Sequence, residues 1–143
     1  MENIESGKLK WNDVVVVSKN ASSMGGSQIF LETNEMMSVE DLVKGICIAS
    51  GNDATVALAE KIAGTESAFV KLMNDKARSL GLKNTNFVNS TGLDAEGHYS
   101  TARDIAKLSK EIVQNRPLIM EHAVMTEETI RGGSFPLINT NNL

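Results

Sequence analysis

The sequence predicts a single domain of mixed α and β structure (α+β) that is predominantly helical. Three observations support this prediction: a β-branched run near the start of the chain, apolar residues at helical spacing over much of residues 38–124, and a globular composition. The 143 residues are 41% hydrophobic and 22% charged. A chain of this length can bury one hydrophobic core.

The first part of the chain has the pattern of short strands. Residues 14–17 are a β-branched run, and residues 28–31 are a second short apolar stretch. The small-residue segment ASSMGGS separates them. We therefore expect two short strands or a loose hairpin here. The first ten residues hold little that could form a capped element, so none is predicted there.

From residue 38 onward, the apolar spacing becomes helical. Ser38 and Asp41 resemble a capping box at the start of the first helix. A second helix is predicted over about residues 53–63, with Gly64 as its C-terminal cap.

Two further amphipathic helices are predicted on either side of a polar loop, residues 84–99. One ends at Gly81, and the other begins at Thr101 and Asp104 and is interrupted at Pro117. Their apolar faces comprise Phe69, Leu72, Met73, Ala77 and Leu80 in the first, and Ile105, Leu108, Ile112 and Val113 in the second. The remaining predictions are a short helix over residues 118–124, a strand over residues 126–130 and a turn at residues 132–133.

Charge and hydropathy exclude two classes of function. The net charge is −4, and the basic residues are interspersed with acidic ones, so the chain lacks the basic face that binding to nucleic acid requires. No apolar run approaches the roughly 18 residues of a membrane-spanning helix, and no signal-like stretch follows Met1. The segment itself is therefore predicted to carry no targeting signal.

Cysteine and histidine usage gives no indication of a metal site. Cys47 is the only cysteine, so an internal disulfide is impossible, and it lies in an apolar run typical of a buried thiol. His98 and His122 are far apart and have no neighbouring ligands at metal spacing. We expect structural or surface roles for both histidines.

The segment Ser50-Gly51-Asn52 lies between two predicted helices and is the candidate functional site. A hydroxyl and an amide separated by glycine can relay a proton and hold a carbonyl or an amide while a substrate approaches closely. The same residue types are common at helix junctions, where Asn52 or Asp53 would cap the second helix and Ser50 would satisfy the end of the first. These residues alone favour capping.

The surrounding sequence changes this balance, because it resembles the serine-type D-alanyl-D-alanine carboxypeptidases, the low-molecular-mass penicillin-binding proteins. The run GICIASGNDATVALAEKIAG is similar to the segment around the second active-site motif of that family. Downstream, SAFVKLMNDKARSLGLKNTNFVNSTGLDAEGHYSTARDIAKLS continues the resemblance, including the GLD and a histidine followed by small hydroxyl residues. Upstream, GKLKWNDVVVVSKNA, GSQIFL and MSVEDLVKG follow the order of the family, and NTNNL is similar to its approach to the third motif.

The resemblance implies a partial domain. Enzymes of this class use three motifs, SxxK, SxN and KTG, and this sequence contains only the second. Residues 1–143 are therefore expected to form the helical lobe of the penicillin-binding/β-lactamase-like fold, with a short hairpin and without the main sheet. The nucleophile is expected before residue 1 and the KTG strand after residue 143. One departure is Asn34, since the family usually has glycine at this turn.

The resemblance also implies a reaction and roles in it. The intact enzyme would remove the terminal D-alanine from peptidoglycan pentapeptides ending in D-Ala-D-Ala, through an acyl-enzyme, and would be inhibited by β-lactams. Ser50 and Asn52 are the implied catalytic residues, and Gly51 and Asn52 the implied substrate-binding residues. Ser50 would pass a proton, and Asn52 would bond the substrate amide and help position the catalytic lysine. No metal or cofactor is implied, and the intact enzyme is expected in the cell envelope, outside the cytoplasm.

Two other functions remain open. The chain could be a non-catalytic module that binds cell-wall peptide, or part of a β-lactamase; Gly51 and the lack of a recognisable deacylating-glutamate loop count against the latter.

The small-residue turn at residues 25–27 is expected near the site by the same resemblance. Without its SxxK segment, the chain is expected to be inactive alone. Without its main sheet, it is expected to expose apolar surface and either form a homodimer or be only marginally stable.

Overall fold

The computed structural model describes residues 1–141, and within them the chain forms seven α-helices and two antiparallel two-stranded sheets. The elements are α1 (Glu2–Glu5), β1 (Val14–Val16), α2 (Lys19–Ser22), β2 (Met36–Ser38), α3 (Val39–Ala49), α4 (Asn52–Ala63), α5 (Glu66–Ser79), α6 (Ala102–Asn115), α7 (Pro117–Ala123), β3 (Glu127–Ile130) and β4 (Phe135–Ile138). This confirms the predicted α+β class with a helical majority. The end of the strand-like terminus NTNNL, Asn142 and Leu143, lies outside the described residues.

The first sheet pairs different strands from those predicted. β1 pairs with β2, with Val15 opposite Met37, and the predicted strand at residues 28–31 is wrong. Phe30 has a φ of 57°, which an extended strand cannot contain. The flanking N–H groups of Ile29 and Leu31 donate to the buried Asp53 carboxylate instead of to a neighbouring strand.

The helix boundaries follow the predicted caps. The Ser38 hydroxyl accepts from the Asp41 N–H (3.0 Å) at the start of α3, and the Thr101 hydroxyl accepts from the Asp104 N–H (3.2 Å) at the start of α6. Gly64 ends α4 with a φ of 83°. None of the helices within residues 1–141 combines the length and the apolar character needed to cross a membrane.

Two short helices are additional to the prediction. α1 lies in the first ten residues, where no element was expected, because Glu2 is held by Lys76 (2.6 Å) and Arg116 (2.8 Å) from distant parts of the chain. α2 lies between the predicted strands, with the Ser18 hydroxyl accepting from the Ala21 N–H (3.0 Å). Neither helix has enough residues to produce a periodic apolar pattern in the sequence.

The hydrophobic core is centred on α3 and α4. These helices pack against each other, and α3 also contacts the second sheet, formed by β3 and β4. The largest fully buried apolar side chains are Val17, Ile29, Val39, Leu42, Ile48, Val56, Ile130 and Leu137. The junction between α3 and α4, which carries the candidate site, therefore belongs to the best-packed part of the molecule.

Candidate active site

Ser50 ends α3 in a strained backbone conformation. Its φ of 55° and ψ of 37° are left-handed, which costs a non-glycine residue roughly 1–2 kcal/mol. The helix end is closed by the backbone, since the Gly51 N–H donates to the Gly45 carbonyl (3.0 Å). The Ser50 side chain is exposed, and its hydroxyl has no hydrogen-bond partner among residues 1–141. Capping of α3 by this hydroxyl, the alternative role, does not occur.

Gly51 occupies a position where a side chain would be tightly packed. A Cβ built there would lie 3.2 Å from the Asp53 carboxylate, 3.3 Å from the Gly45 carbonyl and 3.3 Å from the Ile29 side chain. Gly51 is the N-cap of α4, so Asn52 is the first residue of that helix. The glycine thus lets α3 and α4 meet at close range, with Ser50 and Asn52 on either side.

The Asn52 side chain is held in one orientation. Its Nδ2 donates to the Gly25 carbonyl (2.8 Å), and its backbone N–H donates to the Ser27 carbonyl (2.8 Å). The residue is 7% exposed, and Oδ1 has no hydrogen-bond partner within the described chain. Because no buried side-chain polar atom of these residues is left unsatisfied, Oδ1 reaches solvent. It is an oriented acceptor for an N–H or ammonium donor.

The small-residue turn at residues 25–27 lies against Asn52, as the resemblance implied. Gly26 has a φ of 79°, and a Cβ there would lie 2.7 Å from the Asn52 Nδ2 and 3.6 Å from Leu93. Glycine is therefore required both for the backbone conformation and for the contact. Leu93 belongs to the GLD sequence, so α4 and the polar loop both approach the turn at Gly26.

Asp53 also shapes the site, although the sequence alone indicates it only as a possible cap of α4. Its carboxylate is 1% exposed and accepts the backbone N–H groups of Ile29 (3.1 Å), Leu31 (2.9 Å) and Ala54 (2.8 Å). The bond to Ala54 lies within α4, whereas the other two hold the segment that follows the glycine turn. The sequence gives no signal for these long-range bonds.

The polar loop of residues 84–99 is fixed by side chains from α5. The Asn74 amide donates to the Phe87 carbonyl (2.7 Å) and accepts from the Phe87 N–H (2.9 Å). Glu66 accepts from the N–H (3.0 Å) and the hydroxyl (2.8 Å) of Ser90. These bonds place the loop so that Leu93 reaches Gly26.

The remaining candidate residues have structural roles, as predicted for the histidines. His98 packs edge-on against Phe87, with 5.7 Å between ring centroids, and His122 stacks on Trp11 at 5.1 Å. Cys47 is half-buried, and burial raises the pKa of its thiol, which disfavours the reactive thiolate.

Arg131 joins the second sheet to the segment next to the site. Its guanidinium donates to Glu35 (2.6 Å) and to the carbonyls of Ile29 (3.0 Å) and Phe30 (3.1 Å). The hydrogen bonds from Arg131 lower the pKa of the Glu35 carboxyl. The segment of residues 29–31 is thus held by Asp53 through its N–H groups and by Arg131 through its carbonyls.

Comparison with known proteins identifies the family of this chain. The D-alanyl-D-alanine carboxypeptidase family, peptidase family S11, matches residues 1–143. D-alanyl-D-alanine carboxypeptidase DacF of Bacillus subtilis is 52% identical over 146 residues, which cover 100% of this chain and 37% of DacF.

Solved structures show the same fold. Penicillin binding protein 6B from Escherichia coli superposes with a TM-score of 0.91 at 37% identity, covering 99% of this chain and 46% of that one. Penicillin-binding protein D2 from Listeria monocytogenes, in an ampicillin-bound form, has a TM-score of 0.84 at 28% identity, covering 99% of this chain and 57% of that one. The chain thus spans little more than a third of the length of DacF. Its sequence and its fold place it in the D-alanyl-D-alanine carboxypeptidase family.

Proposed function

We propose that this chain supplies the second active-site motif of a serine-type D-alanyl-D-alanine carboxypeptidase. The observation that carries the proposal is the α3–α4 junction. The exposed hydroxyl of Ser50, whose backbone is strained, and the oriented side-chain carbonyl of Asn52 both lack partners within residues 1–141. A pure helix cap would use these groups internally. Family membership supports the identification of the motif.

Ser50 and Asn52 would have different roles in the reaction. A nucleophilic serine supplied from outside this sequence would attack the carbonyl carbon of the penultimate D-alanine and lose its proton to a base. The C–N bond to the terminal D-alanine would then break, and the Ser50 hydroxyl would pass a proton to the departing amine. Water would hydrolyse the resulting ester. Asn52 Oδ1 would accept a hydrogen bond from the substrate amide or from a lysine ammonium group.

Gly51 would contribute by its lack of a side chain. Because a Cβ at this position would meet three neighbours at 3.2–3.3 Å, glycine allows the two helices to meet without displacement and keeps the Ser50 and Asn52 groups close together. Rigid placement of reacting groups is a major source of rate enhancement in enzymes. The partners of the whole protein would be peptidoglycan peptides ending in D-Ala-D-Ala and, as inhibitors, β-lactams. Its location would be the cell envelope, outside the cytoplasm.

A hybrid enzyme tests this proposal. The chain replaces the matching part of B. subtilis DacF, and release of D-alanine from a D-Ala-D-Ala peptide is measured. We expect activity in the hybrid, and a decrease of roughly 10²- to 10⁴-fold in kcat/KM for Ser50→Ala. Asn52→Ala is expected to lose activity as well. Ser109→Ala, which changes an exposed serine of α6, serves as the matched control and should retain full activity.

An active hybrid in which Ser50→Ala has no effect would contradict the proposed role of the motif. The isolated 143-residue chain contains no SxxK sequence, so we expect it to release no D-alanine and to form no covalent adduct with a labelled penicillin. Saturable binding of the same peptide by the isolated chain, combined with an inactive hybrid, would instead favour the non-catalytic binding module.

A further inference from the structure

We propose that Asp53 is a positioning residue that sets the orientation of the Asn52 amide by holding the segment of residues 25–31 across the start of α4. This inference rests on the proposed function of Asn52. Asp53 does not line the open side of the site, since its carboxylate is 1% exposed. Its effect would be exerted through the backbone to which it is bonded.

The bonds of Asp53 connect two segments that are far apart in sequence. Oδ1 accepts from the Ile29 N–H (3.1 Å) and Oδ2 from the Leu31 N–H (2.9 Å), and Oδ1 also accepts from the Ala54 N–H (2.8 Å). Within the described chain, no Lys, Arg or His lies within ion-pair distance of this carboxylate, although the Arg131 guanidinium interacts with it electrostatically at longer range. Three backbone donors, the N-terminal end of α4 and the charge of Arg131 together stabilise the buried carboxylate.

The adjacent bonds of Asn52 lie on the same segment. Its backbone N–H donates to the Ser27 carbonyl (2.8 Å) and its Nδ2 donates to the Gly25 carbonyl (2.8 Å). Residues 52 and 53 consequently form four hydrogen bonds to residues 25–31. If the two bonds to Asp53 are lost, only the two bonds from Asn52 remain of these four. The Asn52 amide is then held by a glycine-containing turn without a second anchor on α4.

The segment requires such a tether because it is strained. Phe30 is 68% exposed and has a φ of 57°, a conformation that costs a residue with a Cβ roughly 1–2 kcal/mol. This conformation lets the N–H groups on both sides of Phe30 converge on one carboxylate. Arg131 still holds the carbonyls of Ile29 and Phe30 when the carboxylate is removed. We therefore expect the N–H groups of Ile29 and Leu31 to lose their anchor on α4 and residues 25–27 to shift relative to Asn52.

The close packing at Gly26 makes the Asn52 amide sensitive to such a shift. A Cβ at Gly26 would lie only 2.7 Å from Nδ2, so the amide lies directly against the turn. A displacement of about 1 Å at a reacting group can lower the rate about 10²-fold. Asp53 thus connects a buried backbone contact to the placement of the Oδ1 acceptor.

Asp104 provides a matched control. It is also an almost fully buried aspartate in the first turn of a helix, and it accepts from the Asn84 N–H (2.8 Å) and the Thr85 hydroxyl (3.0 Å). Unlike Asp53, it also has a lysine within ion-pair distance, Lys107 at 3.8 Å. Its bonds hold one end of the polar loop and do not involve residues 25–31. Asp104→Asn should therefore destabilise the fold without affecting the Asn52 amide.

The first experiment uses the 143-residue chain and does not depend on activity. The side-chain NH₂ resonances of Asn52 are followed by ¹⁵N–¹H NMR with hydrogen exchange. In the unaltered chain we expect slow exchange of the Nδ2 proton bonded to Gly25. Asp53→Asn should accelerate this exchange at least about 10-fold, whereas Asp104→Asn should leave it within about 2-fold. An unchanged Asn52 exchange rate in Asp53→Asn would overturn the proposal.

If Asp53→Asn does not fold, the unaltered chain still provides a test. The amide protons of Ile29 and Leu31 and the Asn52 Nδ2 proton should then exchange through one common opening, with equal protection factors after each observed rate is divided by its intrinsic rate. Opening of the Asn52 site at a rate unrelated to that of Ile29 and Leu31 would refute the connection.

The second experiment uses the DacF hybrid. Asp53→Asn should lower kcat about 10-fold or more and leave KM within about 2-fold, because the substrate-contacting groups remain present but misplaced. Asp104→Asn should retain the hybrid's kcat. An inactive parent hybrid would count against the proposed function alone, since the NMR result decides the role of Asp53 separately.

Discussion

Helices α3 and α4 differ from helices α5 and α6 in how completely they are buried. α3 and α4 bury most of their apolar side chains around Leu42, Ile48 and Val56, whereas α5 buries only Ala77 and α6 only Asp104. Nevertheless α6 has a more strongly amphipathic sequence than α3, α4 or α5. A pronounced apolar face thus shows which side of a helix is suited to burial, but it does not show that the burying partner lies in the same segment.

The largest expected effect of this difference is on stability. Leu42→Ala should lower the free energy of unfolding by about 2–5 kcal/mol, because Leu42 is fully buried in the core. Ile105→Ala, on α6 and 46% exposed, should lower it by less than about 0.5 kcal/mol. Urea unfolding followed by circular dichroism measures both. Equal losses would show that α6 is packed as tightly as α3.

A smaller effect is expected from pH. Hydrogen bonds from Arg131 lower the pKa of Glu35 below its ordinary value of about 4.5, so the folded state binds this proton less readily than the unfolded state does. The resulting stabilisation is fully present above about pH 4.5 and is lost as the pH falls through the folded-state pKa. Glu35→Gln should therefore lose less stability than the unaltered chain between neutral pH and pH values below 4.5.

Thermal unfolding at matched ionic strength gives the comparison for Glu35. Glu96→Gln, which removes an exposed carboxylate from the polar loop, is the control for the loss of one negative charge. If Glu35→Gln also follows the unaltered chain, the bond to Arg131 makes no pH-dependent contribution.

The smallest effect on the free energy of unfolding is expected when lysines are introduced on the exposed face of α6. We propose that the isolated chain forms homodimers through exposed apolar side chains, which on α6 include Ile105 and Val113. Replacing both by lysine should reduce self-association measured by light scattering and change the unfolding free energy by less than about 0.5 kcal/mol. A monodisperse monomer with a high melting temperature before any substitution would contradict the proposal.

Local signals allowed much of this fold to be predicted. Ser38 and Thr101 mark helix starts through hydroxyl caps, and Gly64 marks a helix end through its left-handed backbone, so all three predictions were correct. Asn34, which has a φ of 69°, shows that the turn retains a conformation glycine favours even though its residue differs from the usual one. Each of these signals depends on only a few consecutive residues.

The errors arose where distant residues determine local structure. The apolar stretch at residues 28–31 matches a strand, but Asp53 and Arg131 impose a different backbone on it from positions 22 or more residues away. α1 forms because Glu2 meets Lys76 and Arg116. At the site, the resemblance identified Ser50 and Asn52 as candidates, but no local pattern indicated the bonds that hold Asn52. Their catalytic roles remain predictions.

The contact between Glu2 and Arg116 also has a consequence for the order of folding. It closes a loop of 114 residues, whereas α3 and α4 are joined by only two residues and can pair as soon as both helices form. Because the entropy cost of closure rises with loop length, local pairing precedes distant contacts. We therefore expect the α3–α4 junction to form early in folding. Helix α1 should dock late, after α5 and α6 have packed.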